Sequence, residues 1–197
     1  MTGFSQQTVQ KLAHFGRIFK RFAADQRGVG AVEFAIIAPV LLMVYIGSFE
    51  ISTGFSVARK VARASSAVAD LVTQGSQTTK EELDTMDDVA RSIISPYDAS
   101  QMKLKITGIK VIVGGAATVA WSRDETGSTP YTKNSPTTVP AELVSVGGFV
   151  VRTELVVPHQ LLLFAPGLAP SSAKTINLSK TYYYRQRIGD DIACSNC

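Results

Sequence analysis

The sequence predicts an α+β protein: a long N-terminal transmembrane helix, then a short helix and a four-stranded antiparallel β-sheet head. Three observations carry this. An uncharged run of 16 residues, Phe34–Phe49, lies near the start of a 197-residue chain. Helical spacing continues past that run to about Thr73 and, after a break, resumes to about Ile94. From Met102 onward the apolar residues alternate with a period of two, as half-buried strands do.

Residues 1–28 read as a polar, basic, cytoplasmic leader, with a helical pattern around Val9–Ala23. Residues 29–54 form the membrane helix. From Ala31 to Gly54 it reaches ~36 Å, enough for a hydrocarbon core of about 30 Å. A secretory signal peptide has a shorter apolar core that ends at a small-x-small cleavage site. A helix packed on the core of a globular domain of this size would show a polar stripe, and none is present between Phe34 and Phe49. Glu50 falls near the far interface, where charge is cheap, whereas Glu33 falls just inside the near end, where it is not. Residues 55–101 extend the helix through Val57, Val61, Val68, Leu71 and Val72 and add a second one. Gly75–Thr79 is a break, Thr79 caps the second helix, Glu81 and Glu82 lie in its favoured first turn, and Pro96 ends it.

Residues 102–197 form the head. Leu104 and Ile106 alternate, then Ile109, Val111 and Val113 do so after a phase slip at Thr107-Gly108 that a bulge would produce. Gly114-Gly115 is a two-residue hairpin signal, and Ala117, Val119 and Trp121 alternate on the return strand. Residues 122–142 read as a long exposed loop. Phe149, Val151, Thr153, Leu155 and Val157 share one face of a third strand closed by Pro158. Phe164–Lys174 is a second loop. Ile176, Leu178, Tyr182, Tyr184 and Ile188 share one face of the fourth strand.

Charge and cysteine usage narrow the class. The isoelectric point is near 9.1, which invites a nucleic-acid reading. Residues 1–28 hold five of the 20 basic side chains and one of the 16 acidic ones, so the remainder is neutral. Basic residues before an apolar run orient a membrane helix, and no nucleic-acid partner is expected. The asymmetry is modest: Arg17, Lys20, Arg21 and Arg27 precede the helix, and Arg59, Lys60 and Arg63 follow it. Cys194 and Cys197 fit a structural disulfide in an oxidising compartment better than a redox or zinc site, since His14 and His159 are the only histidines. No nucleophile–base–acid set can be built around His159. Asp87-Asp88, Asp124-Glu125 and Asp190-Asp191 read as solvated surface. The protein is expected to be no enzyme, with no metal, cofactor or small-molecule substrate.

The most specific feature is Arg27-Gly28-Val29-Gly30-Ala31-Val32-Glu33-Phe34: a glycine at the edge of the apolar run and a glutamate five residues later. It resembles the type IV prepilin processing site. Asp25 to Ala69, with Val-Glu-Phe-Ala and then Pro39, resembles the opening of the TadE/TadG-like family, minor pseudopilins of the tight-adherence (Flp-type) pilus. Tyr182–Arg187 and the terminal cysteines agree more loosely, with Arg185-Gln186-Arg187 standing where the family often has Arg-Pro-Arg.

The resemblance implies a pilin-like helix and cleavage by a prepilin peptidase between Gly28 and Val29. It also implies that Glu33, with Phe34 beside it, serves recognition and assembly by meeting the new amine of a neighbouring subunit. The expected site is the bacterial inner membrane, with the N-terminus cytoplasmic and the head periplasmic. The partners would be other pilin subunits and the pilus assembly machinery, and the role would be pilus assembly and surface adherence. The alternative is an uncleaved single-pass envelope protein whose head binds or tethers a partner.

Overall fold

The computed structural model describes residues 28–161 and 175–197. The expected leader helix and the whole of the loop at Phe164–Lys174 lie outside them. The elements are α1 (Val29–Val72), β1 (Gln77–Thr78), α2 (Lys80–Ile94), β2 (Lys103–Val111), β3 (Ala117–Asp124), β4 (Pro136–Thr137), α3 (Ala141–Val146), β5 (Gly148–Gln160), β6 (Thr175–Arg185) and β7 (Ala193–Cys194). Contacts divide the chain into two compact units, residues 1–48 and 49–197.

In the first unit the described residues are the start of α1. None of Val29–Ser48 is buried. An 18-residue window here has a mean hydropathy of 2.3 and no buried residue. Ile36, Val40, Val44 and Tyr45 are all more than half exposed. A core helix would hide one side. This one shows apolar side chains all round, which fits a membrane anchor.

In the second unit α1 has two faces. Val57, Val61, Ala64, Val68 and Val72, at spacings of three and four, are buried with Leu83, Ala90 and Ile94 of α2 against Leu104, Ile106, Phe149, Val151, Leu155 and Val157 of the sheet. Each of these side chains larger than alanine contributes about 1.5–3 kcal/mol on burial. The hydrogen bond from Thr153 Oγ1 to the Ser65 carbonyl (2.9 Å) adds about 1 kcal/mol net. Apolar burial therefore sets the packing, and the polar pair fixes its register. At α2, Thr79 and Glu82 form a reciprocal capping box, which satisfies two orphan amides of its first turn. Lys60 donates to the carbonyls of Ile93 and Ser95 at the other end of α2.

The sheet has five strands, not four, in the order β4-β3-β2-β5-β6, and β1 and β7 form a separate parallel pair. All pairings in the larger sheet are antiparallel. Residues 122–142 are not a free loop. Asn134 N donates to the Val119 carbonyl and Val119 N to that of Ser135, lacing the segment along β3 until β4 and then α3 form. The hairpin spans Ile112–Ala116 rather than two residues. Its turn is closed by Gly115 N donating to the Ile112 carbonyl, and Gly114 holds φ +65°. Val113 thus sits in the loop, 68% exposed.

The phase slip has a different origin from the one expected. β2 pairs with β5 without interruption from Lys103↔Val156 to Val111↔Gly148. Its first half buries Leu104 and Ile106 toward the helices. Its second half buries Ile109 and Val111 in a smaller core with Ala117, Val150, Leu143 and Val144 on the opposite face. The irregularity lies in β3. Gly108 faces Trp121 and Ile109 faces Val119, so Ala120 is the surplus residue.

Two further expectations are corrected. Pro158 does not close β5, which continues to Gln160 while paired with β6. Pairing with β2 ends at Val156, so one side of β5 needs no donor there, and proline is tolerated. Ile188 is outside β6 because Gln186 N and Arg187 N donate to the carbonyls of Phe149 and Thr73, turning the chain away from the sheet.

Candidate processing and assembly site

The sequence motif sits at the first turn of α1. Gly28 occupies a single 3-10 position directly before the helix. A side chain built on it would meet nothing within 4 Å, so no packing demand explains the glycine. Val29 is 50% and Phe34 66% exposed, and Glu33 is exposed as well. Among the described residues Glu33 makes no ion pair. Gly28, Val29, Glu33 and Phe34 thus lie together on an exposed helix start. Glu50 behaves differently. It is 6% exposed, and it is not without a partner.

At the other end of the chain Cys194 and Cys197 are disulfide-bonded, with Cα atoms 5.5 Å apart. The bridge closes a clip that docks on the start of α2. Ser195 N donates to the Thr78 carbonyl. Asn196 Oδ1 accepts from Lys80 N at 2.8 Å, and its Nδ2 donates to both Glu81 oxygens at 3.2 and 3.0 Å. The sequence gives no signal for this docking, because Asn196 and Glu81 are far apart in the chain.

Two carboxylates at this junction are held below their ordinary values. Glu81 is lowered chiefly by the Asn196 amide. Asp84 is lowered chiefly by Arg123, whose guanidinium donates to both its oxygens at 2.7 Å. A carboxyl with a depressed folded pKa stabilises the fold above its unfolded value, near 4, and loses that contribution as pH falls through the folded value. The Asp84–Arg123 pair is half exposed on the acid side, so screening limits it to about 1 kcal/mol. Lowering the pH from about 5 to 3 should therefore cost the parent roughly 2–4 °C more in melting temperature than it costs Glu81→Gln/Asp84→Asn. Thermal melts at both pH values test this, and equal slopes in parent and variant would refute it.

The other singled-out residues have structural surroundings. Asp87 pairs with Arg91 at 2.6 Å, and Asp124 Oδ1 accepts from the Thr126 and Ser128 amides. Glu125 accepts from Leu104 N, and Asp191 lies 3.6 Å from Lys110. His159 pairs with Ile176 across β5 and β6. On the sheet face away from the helices, Tyr131 donates to Glu154 at 2.9 Å and lies under Arg152. Burial and that carboxylate push its phenol pKa up, which keeps it a neutral donor. Among the described residues no cluster of three or more His, Cys, Asp or Glu could hold a metal.

An apolar helix exposed on every side, leading into an α+β unit with a disulfide-clipped end, defines the class as a helix-anchored α+β protein. Residues 28–70 match the family model described as TadE-like protein, and the resemblance to the TadE/TadG-like family holds over that segment. That match suggests association with a tight-adherence pilus system, and the exposed apolar helix fits a membrane anchor. No curated protein and no solved structure matches the chain significantly.

Proposed function

We propose that the protein is a minor pseudopilin of a tight-adherence (Flp-type) pilus, cut by a prepilin peptidase between Gly28 and Val29. In this reading it lies in the bacterial inner membrane with its N-terminus cytoplasmic and its head periplasmic, and contributes to pilus assembly and adherence. The observation that carries it is the Gly28–Glu33 spacing at the exposed start of α1, within the TadE-like segment. An unpacked glycine lets an extended backbone enter a protease cleft with no Cβ in the way. The Cys194–Cys197 bond supports an oxidising compartment for the head.

The test is the intact mass of the chain from its native membrane, with Gly28→Leu beside it. The parent should begin at Val29, and the variant should accumulate as precursor with at least a tenfold loss of the cut form. A parent chain still beginning at or near Met1 in cells with an intact peptidase would refute the reading and leave an uncleaved envelope protein.

A further inference from the structure

Three cations follow the apolar run, and they have separate surroundings. Lys60 is used internally. Its ammonium donates to the carbonyls of Ile93 and Ser95 at the end of α2 and lies 5.9 Å from the centre of the Tyr97 ring. Arg59 and Arg63 are exposed, and among the described residues neither meets a carboxylate. The nearest acids on α1 are Glu50, which is buried, and Asp70, which is bonded to Arg187 and Gln74.

These arginines belong to a stripe at intervals of four: Ile51, Phe55, Arg59, Arg63. Residues so spaced share one helix face. Ile51 is 75% and Phe55 58% exposed. Phe49, Ile51 and Phe55 are the last exposed large apolar side chains before Arg59. The Arg59 guanidinium lies 4.3 Å over the centre of the Phe55 ring, so it leans back toward the apolar end of the stripe. One outward face therefore passes from aliphatic to aromatic to paired guanidinium within three turns. Trp, Tyr, Lys and Arg flank membrane helices in the same order, with the apolar body in lipid and the charge at the headgroups.

We propose that Arg59 and Arg63 form a docking site for the phosphate of an anionic glycerophospholipid in the leaflet on the head side of the membrane, with Phe55 at the boundary of the acyl chains. The proposal rests on the membrane-anchored reading above. The headgroup layer on one side of a bilayer is about 5–8 Å deep, and Arg59 lies one turn, ~5–6 Å, beyond Phe55. Arg63 lies one turn further, and its side chain leans toward the helix N-terminus, back toward the same layer. Guanidinium groups match phosphate oxygens with paired donors. The site also accounts for cations on the side of the helix where orientation rules disfavour them: the Lys60 ammonium is hydrogen-bonded by carbonyls at the end of α2, and the lipid phosphate offsets the other two.

The test uses the full chain reconstituted in phosphatidylcholine vesicles, with spin-labelled phosphatidylglycerol or spin-labelled phosphatidylcholine as probe. The parent should hold phosphatidylglycerol preferentially in its motionally restricted shell. Arg59→Gln/Arg63→Gln should lose that preference by about fivefold per arginine, and added inorganic phosphate should not displace the lipid. Equal retention of the two probes by the parent, or an unchanged preference in the double variant, overturns the proposal. So does a variant that keeps its lipid preference but loses an acidic partner subunit, which would assign the arginines to a protein contact. Alkaline extraction and the mature N-terminus, measured on the same preparations, separate this failure from failure of the anchored pseudopilin reading.

Discussion

Glu33→Leu is expected to abolish assembly while leaving membrane insertion intact. An ionised carboxylate in hydrocarbon costs roughly 2.5–3.5 kcal/mol on insertion scales. A chain needing only an anchor would do better with leucine there. Cleavage after Gly28 would create a compensating cation, the amine of Val29, with an ordinary pKa near 7.7–8.0. Within one helix that amine is four residues away. Glu33 is exposed on α1, open to an amine from a neighbour. Removing one partner of a buried pair costs about 3–5 kcal/mol, or about 10²–10⁴-fold in association. Fractionation should find Glu33→Leu in the membrane with its leader removed, and co-purification with other pilin subunits should fail. Normal piliation by the variant would show that the carboxylate is incidental.

The second large effect lies in the head. Gly108→Ala is expected to lower stability by about 3 kcal/mol. Gly108 does not adopt a positive φ, so the demand is for space. A Cβ there would stand 2.4 Å from Trp121 Cε2 and 2.7 Å from Phe149 Cζ. Neither ring can withdraw freely. Trp121 donates its indole N–H to the Ile192 carbonyl at 2.7 Å, and Phe149 is 2% exposed. Overpacking of this kind costs about 1–3 kcal/mol and occasionally more. For a unit of this size, 3 kcal/mol is roughly 6–12 °C in melting temperature. Trp121 is the single tryptophan, so its fluorescence reports the transition. Phe149→Leu should be less harmful in the Gly108→Ala background than alone, because it opens the space the methyl needs. An unchanged melting temperature for Gly108→Ala would mean that the rings do not close over Gly108 as described.

The sequence by itself determined the features that depend on near neighbours. Apolar residues from Ala31 to Gly54 specify a helix too apolar for water, and α1 runs through them. Thr79, followed by Glu81 and Glu82, marks the start of α2, and its capping box forms there. The period of two marks β2, β3, β5 and β6, and the Gly28–Glu33 spacing is legible directly. Tertiary structure decided what depends on distant partners. Two-residue β4 has no periodicity to read and exists because the β3 edge at Thr118 and Ala117 is there for Pro136 and Thr137 to pair with. The change of phase along β2 reports two cores on opposite faces, which a single strand cannot distinguish from a bulge. Lys60 and Arg59 are adjacent in sequence, yet one caps α2 and the other faces outward, because successive helical residues point about 100° apart. Glu81 meets Asn196 only because β7 pairs with β1, a contact bought by folding with no trace in local sequence.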